Sequence, residues 1–213
     1  MQEAFDDIIA LYPQWQCVCE KVWNIGNLLN QNTNNFGAAG FIFNDLNRLL
    51  QMNLQVNTDE NPKQTLIEFL VESLGFFKLE LVEIAKLKHV VTEAGKQILE
   101  EVAGIIDADS KKVERMRTLL EEMNITEAMK NPARSDLENI SLQTCDQQTA
   151  IKHLNETKQA VFSYLVVKNM SISEFFLYVA EICTIIDNAL EGPVSICILM
   201  YFNNSWGFLE AFR

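Results

Sequence analysis

NIGNLLNQNTNNFGAAGFIFNDL, residues Asn24 to Leu46, interrupts a chain that otherwise reads as one helix after another. Upstream of it Cys17, Val18, Val22, Ile25, Leu28 and Leu29 recur at helical spacing, and downstream Leu46, Leu49 and Leu50 do so again. Within the interruption, Gly26 leaves room for another backbone or a large side chain to come close. Asn27 and Asn30 put amides where an exposed helix more often carries Glu or Lys. An amide offers donor and acceptor together, which suits it to hold a loop or the backbone of a partner. Gln31 to Gly40 reads as a tight polar loop, and Phe41 as the residue that returns the chain to the core.

Helical signals extend outward from this point. Leu66, Phe69, Leu70, Leu74 and Phe77 form one apolar face. From Ile98 through Val102, Ile105, Val113, Met116, Leu120 and Met123 the steps are mostly three and four, with Glu100, Glu101, Lys111, Lys112, Glu114, Arg115, Glu121 and Glu122 as a solvated face. The pattern is coiled-coil-like, although Asp109 stands where the seam wants an apolar residue. Asn131-Pro132 predicts a helix stop, followed by a long helix from about Ser135 to Val167 carrying Leu137, Ile140, Leu142, Ile151, Leu154, Val161 and Leu165. Ser171 with Glu174 three residues on predicts a capping box that opens a last helix, whose apolar residues are Phe175, Phe176, Val179, Ile182, Ile185 and Ile186. Up to the tail there is no strand-forming alternation, and there is no Gly-rich phosphate loop and no internal repeat. The expected fold is all-α, an elongated helical bundle with a coiled-coil-like pair of long helices.

Composition narrows the function. Of the 213 residues 48% are apolar and 22% charged, the balance of a folded protein with a sizeable core. A net charge of -12 and the absence of clustered Lys and Arg argue against a nucleic-acid partner. Five scattered cysteines and no secretory leader read as a reduced, intracellular protein. His89 and His153 stand alone, with no Cys or carboxylate at ligand spacing, so no metal and no cofactor are expected. Cys17-Val-Cys19 has one spacer instead of two and reads as core and rim, not as a redox pair. No strand-turn-helix context supports a nucleophile, and the chain is read as a binding protein and not an enzyme.

The order of features around the interruption carries a family resemblance. Gly26-Asn27-Leu28-Leu29-Asn30, the polar loop, Ala39-Gly40-Phe41, the leucine helix at Leu46 to Leu50, and Thr65-Leu66-Ile67-Glu68-Phe69-Leu70 closely resemble the core signature of the formin homology-2 domain. Ser171-Ile-Ser-Glu-Phe-Phe resembles a segment near the end of that domain, and the long helices between fit its coiled-coil return. The resemblance covers about residues 10 to 190, the C-terminal half of the family's domain. It implies residues 1–190 as a partial formin homology-2 domain, of the post and coiled-coil region, with 191–213 as a tail foreign to the family. It further implies binding to actin, assistance to filament nucleation and barbed-end assembly, and a place in the cytoplasm and cytoskeleton. The implied partners are actin, a formin chain whose lasso wraps the post in a homo- or hetero-dimer, and a Rho-family GTPase acting through regions not in this stretch. By analogy Gly26, Asn27, Asn30, Gly40 and Phe41 form the surface that receives the lasso, and Arg48 and Lys63 are the residues left to meet actin.

Three departures bear on how much activity carries over. Met1 begins just before the motif, whereas the family's lasso, linker and actin-touching knob lie N-terminal to this region, so the chain is expected not to close a ring by itself. Thr58 stands at the position of the family's usual actin-contacting lysine, and Ile42 where a basic residue often follows the Gly-Phe pair. Loss of two positive charges weakens attraction to acidic actin. The apolar run Val194 to Phe202 is well short of the ~20 residues that span a bilayer and reads either as an extra packed element or, the reading favoured here, as sequence from an unspliced intron or an alternative exon. The alternative function is a helical interaction module that binds the lasso of another formin and regulates it without touching actin. A chance match to the signature would be expected to bury Asn27 and Asn30 within one core.

Overall fold

The structure, a computed structural model, describes residues 1–34, 36–54, 64–73 and 78–192. It is an all-α bundle. In chain order the elements are α1 (Gln2–Ala10), α2 (Tyr12–Leu29), a 3-10 turn (Phe43–Asp45), α3 (Leu46–Leu50), β1 (Asn53–Leu54), β2 (Gln64–Thr65), α4 (Leu66–Ser73), α5 (Lys78–Ala85), α6 (Lys88–Gly95), α7 (Leu99–Glu122), α8 (Glu127–Tyr164) and α9 (Ile172–Glu191). The strands are two residues each and pair antiparallel, Asn53 with Thr65 and Leu54 with Gln64, a small clasp not expected from the sequence.

The last helix is the axis of the bundle. Ser171 accepts from the backbone N–H of Glu174, and the Glu174 carboxylate accepts from the backbone N–H of Ser171 at 2.8 Å, the capping box expected at this site. Ile172, Phe175, Phe176, Val179, Ala180, Ile182, Cys183 and Ile186 are buried, and α3, α4, α5 and α6 pack around them. Gly95 at the end of α6 lets that helix come close: a Cβ there would lie 2.8 Å from Cγ of Leu177 and 3.2 Å from its backbone nitrogen. At the N-terminal end of α9 the core turns aromatic. Phe175 sits among Phe5, Phe43, Phe162 and Phe176, with ring centroids 4.9 to 6.2 Å away, and Trp15 meets Phe43 edge-on at 5.6 Å. Phe5 and Ile8 belong to α1, which the sequence reading did not identify, although Ala4, Phe5 and Ile8 share one helical face.

Three expectations need correction. Phe43, and not Phe41, is the residue that enters the core; Phe41 is half-buried and packs against its edge. Pro132 does not stop a helix but lies inside α8, which begins at Glu127. The missing N–H leaves the Ala128 carbonyl without its intrahelical donor, normally a cost of ~3 kcal/mol. What holds the turn together is side-chain chemistry at the α7 to α8 corner. The Arg134 guanidinium makes a forked pair with Glu121 (2.8 and 2.7 Å) and also donates to Glu127 (2.7 Å), while Lys130 donates to the Glu121 carbonyl at 3.1 Å. These contacts lower the Glu121 carboxyl below its ordinary value, the Arg134 hydrogen bond being the main cause.

The third correction concerns the long pair, α7 and α8, which run back on one another as expected. Only Leu99, Val113 and Leu120 of α7 are buried; Val102, Ile105, Met116 and Met123, placed in the same seam by the sequence reading, are exposed. Likewise Leu154, Val161 and Leu165 are buried, but Ile140 and Leu142 face solvent. The periodicity is helical throughout, yet two adjacent stripes of α7 share it, and α8 covers only one.

Candidate functional site

The loop after α2 is held by the helix that precedes it. Asn27 donates from Nδ2 to the Ala38 carbonyl (3.1 Å) and accepts from the Ala38 N–H at Oδ1 (2.9 Å), so the amide pairs with a backbone unit as a strand would. The Trp23 indole N–H donates to the same carbonyl at 2.6 Å. Nearer the helix end, the Asn30 carbonyl accepts from the Thr33 N–H and hydroxyl, and Gly37 takes a positive φ of 78° that its missing Cβ permits. The interruption is thus a folded turn strapped to the last two turns of α2.

Beside it lies an open groove of about 430 Å³, lined by Trp15, Cys19 and Trp23 of α2, by Gly40, Phe41 and Phe43, and by Tyr164 to Val166 at the end of α8. Gln16 and Glu20 form its polar edge and bond each other at 2.8 Å. Tyr12 stacks on Tyr164 with centroids 3.8 Å apart, and burial followed by the neighbouring Tyr164 raises the Tyr12 hydroxyl above its ordinary value. Burial also pushes the Cys19 thiol up to about 12, so it lines the groove as a small apolar group and not as a nucleophile.

The wall at Val166 is strained. Its φ of 55° is the left-handed region, which a β-branched residue rarely adopts. The conformation is held because the Phe43 N–H donates to its carbonyl at 3.4 Å and Asn44 grips the next turn, donating to the Lys168 carbonyl (2.7 Å) and accepting from its N–H (3.0 Å). Tyr178 completes the fastening: its hydroxyl donates to the Phe43 carbonyl at 3.0 Å and accepts from the Asn47 N–H at 2.9 Å.

Of the residues singled out in the sequence, the structure brings Gly40 and Phe41 into the groove and ties Asn27 to it through Ala38, two residues before Gly40. Gly26 and Asn30 are half-buried and do not line it; a Cβ at Gly26 would meet nothing within 4 Å. Neither Asn27 nor Asn30 lies in the core. Arg48 is exposed and pairs with Asp45 at 3.3 Å, while Lys63 and Thr58, like Leu74, Phe77 and the tail 193–213, lie outside the described residues. Trp15, Trp23 and Tyr164 were missed. Trp15 precedes Val18 by three residues and was legible as part of the same stripe, whereas Tyr164 joins the site only through tertiary packing.

Among the described residues no group of three or more His, Cys, Asp or Glu could hold a metal ion, and no helix is long and apolar enough to cross a membrane. His89 and His153 are exposed. No family model matches the chain, and no curated protein matches it.

Proposed function

We propose that this chain is a divergent partial formin homology-2 domain that binds actin and contributes to filament nucleation and barbed-end assembly. The observation that carries the reading is the surface around the Gly-Asn-x-x-Asn stretch. Trp23, Leu28, Leu29 and Phe36 are exposed there, Gly26 is open, and the aromatic groove adjoins them. Apolar groups gathered in this way are what a docking segment covers. In the formin reading that segment is the lasso of a second chain, with Gly40 and Phe41 in the groove and Asn27 holding its rim in shape. Actin would then be met by Arg48 and Lys63.

One observation favours the second reading, a module that binds a lasso-bearing formin and regulates it without touching actin. Arg48 is already paired with Asp45, and an exposed cation shared in this way attracts an acidic surface weakly.

Seeded actin elongation with the purified chain separates the two. A change in barbed-end growth supports the first reading. Unchanged growth together with capture of a lasso-bearing formin chain supports the second, and capture should be lost in Gly26→Leu, whose side chain enters open space and leaves the fold intact. Neither effect would refute both.

A further inference from the structure

The α7 helix carries two heptad stripes, and the fold uses one of them. Leu99, Val113 and Leu120, with half-buried Ala103, Ile106 and Ser110 between, face α8. Roughly a third of a turn away, given 100° per residue, run Val102, Ile105, Asp109, Lys112, Met116 and Leu119, in alternating steps of three and four that the two cap residues Ile98 and Met123 continue at the ends. The six apolar members are between 47% and 61% exposed. A helix that is apolar on two faces belongs between two neighbours, and among the described residues α8 is the one helix that packs along it.

We propose that the second stripe is a self-association surface, and that α7 pairs antiparallel with α7 of a second copy of this chain. The argument is complementarity in one register. Place Ile98 opposite Met123 of the second copy, and Val102 falls opposite Leu119, Ile105 opposite Met116, and Asp109 opposite Lys112. Two-fold symmetry makes every pairing occur twice, which is the form a closed two-chain interface takes. All six apolar positions meet apolar positions, and the two charges that interrupt the stripe meet each other. A parallel pairing would instead set Asp109 against Asp109 and Lys112 against Lys112. Within one chain Lys112 and Asp109 already pair at 2.8 Å across one turn, their side chains 65% and 51% exposed, so the same two groups are free to exchange partners across the axis.

The contact would run about 36 Å along α7, from its 24 residues at 1.5 Å each. On the flank Glu101 approaches Glu122 of the second copy, and each chain carries -12, so the association is weak at low salt and is best measured near physiological ionic strength.

Sedimentation equilibrium over about 1 to 100 µM, the weaker end of specific interfaces, tests this. The wild-type chain should shift from monomer to dimer mass as concentration rises. Asp109→Lys and Lys112→Asp should each weaken the dimer by about tenfold or more, because each sets like charges across the axis. An equal mixture of the two variants should regain wild-type association, since the two lysines that one variant then carries in the stripe face the two aspartates carried by the other. Both changes are on exposed helix surface, and circular dichroism confirms that helix content is kept before the masses are compared. A wild-type chain that stays monomeric, as it would if another segment covers the stripe, overturns the proposal. Variants that associate like wild type, or a mixture no better than its components, overturn it equally.

Discussion

Asn27 sits at the centre of the candidate site, and its two bonds to Ala38 allow a test of whether it holds the loop or waits for a partner. A neutral hydrogen bond is worth ~0.5 to 1.5 kcal/mol net, and these are exposed, so both together hold the loop by about 1 to 2 kcal/mol. Asn27→Ala removes both but improves helix propensity in α2 by roughly 0.5 kcal/mol. Asn27→Asp keeps the shape and can still accept from the Ala38 N–H. It also sets a carboxylate oxygen against the Ala38 carbonyl, and adds negative charge in the last turn of α2, where the helix dipole opposes it. The isosteric change should therefore be the more damaging. Amide hydrogen exchange across residues 31–42 is the assay. Alanine should speed exchange there by about 5- to 30-fold, as a loss of one to two kcal/mol implies, and aspartate by more, with the α9 amides unaffected. Wild-type exchange in both variants would show that the Asn27 to Ala38 pairing is not what holds the loop. If alanine left the loop intact and still abolished capture of a lasso-bearing chain, Asn27 would be touching the partner itself.

Three further outcomes follow from particular residues. Val166→Gly should be neutral or stabilising by up to about 1 kcal/mol in urea unfolding, because it relieves the left-handed conformation at a half-exposed site; a loss above 2 kcal/mol would mean the side chain matters more than the strain. Pro132→Ala should restore the hydrogen bond to Ala128 and raise protection of amides near the start of α8, by an equivalent of ~1 to 3 kcal/mol; unchanged exchange would mean the Arg134 contacts already compensate in full. Glu174 is held below its ordinary 4.5 by its bonds to Ser171, so its contribution is complete above that pH and is lost as pH falls through the lower folded value. Glu174→Gln should flatten that acid limb of the stability curve, and an unchanged limb would assign the loss to other carboxylates.

Much of the helical architecture was legible because periodicity reports which residues share a face. Val18, Val22 and Ile25 of α2 and the Phe175 to Ile186 face of α9 are buried as the spacing implies. The same signal does not report which faces find a neighbour, and so Val102, Ile105 and Met116 were assigned to the seam that Leu99, Val113 and Leu120 occupy. Pro132 was misread because a local rule was outweighed by contacts from Glu121, eleven residues earlier and across the corner between helices. At the site, Gly40, Phe41 and Asn27 were chosen from their order in the chain. Tyr164 and Val166 were beyond reach, since they come to Phe43 and Trp15 from the far end of α8, and the torsion of Val166 is set by that closure.

The length of α8 gives the groove a mechanical neighbour. Its last turn, at Tyr164, forms part of the groove wall and is stacked on Tyr12, and its other end is about 57 Å away, from 38 residues at 1.5 Å each. The core holds α8 as far back as Leu154 and Ile151, and the remaining 36 Å or so to Glu127 projects beyond it, so a tilt of one degree there moves the corner where Arg134 joins Glu121 by about 0.6 Å. The projecting arm is in this sense a pointer whose pivot lies at Leu154, about three turns from the groove wall.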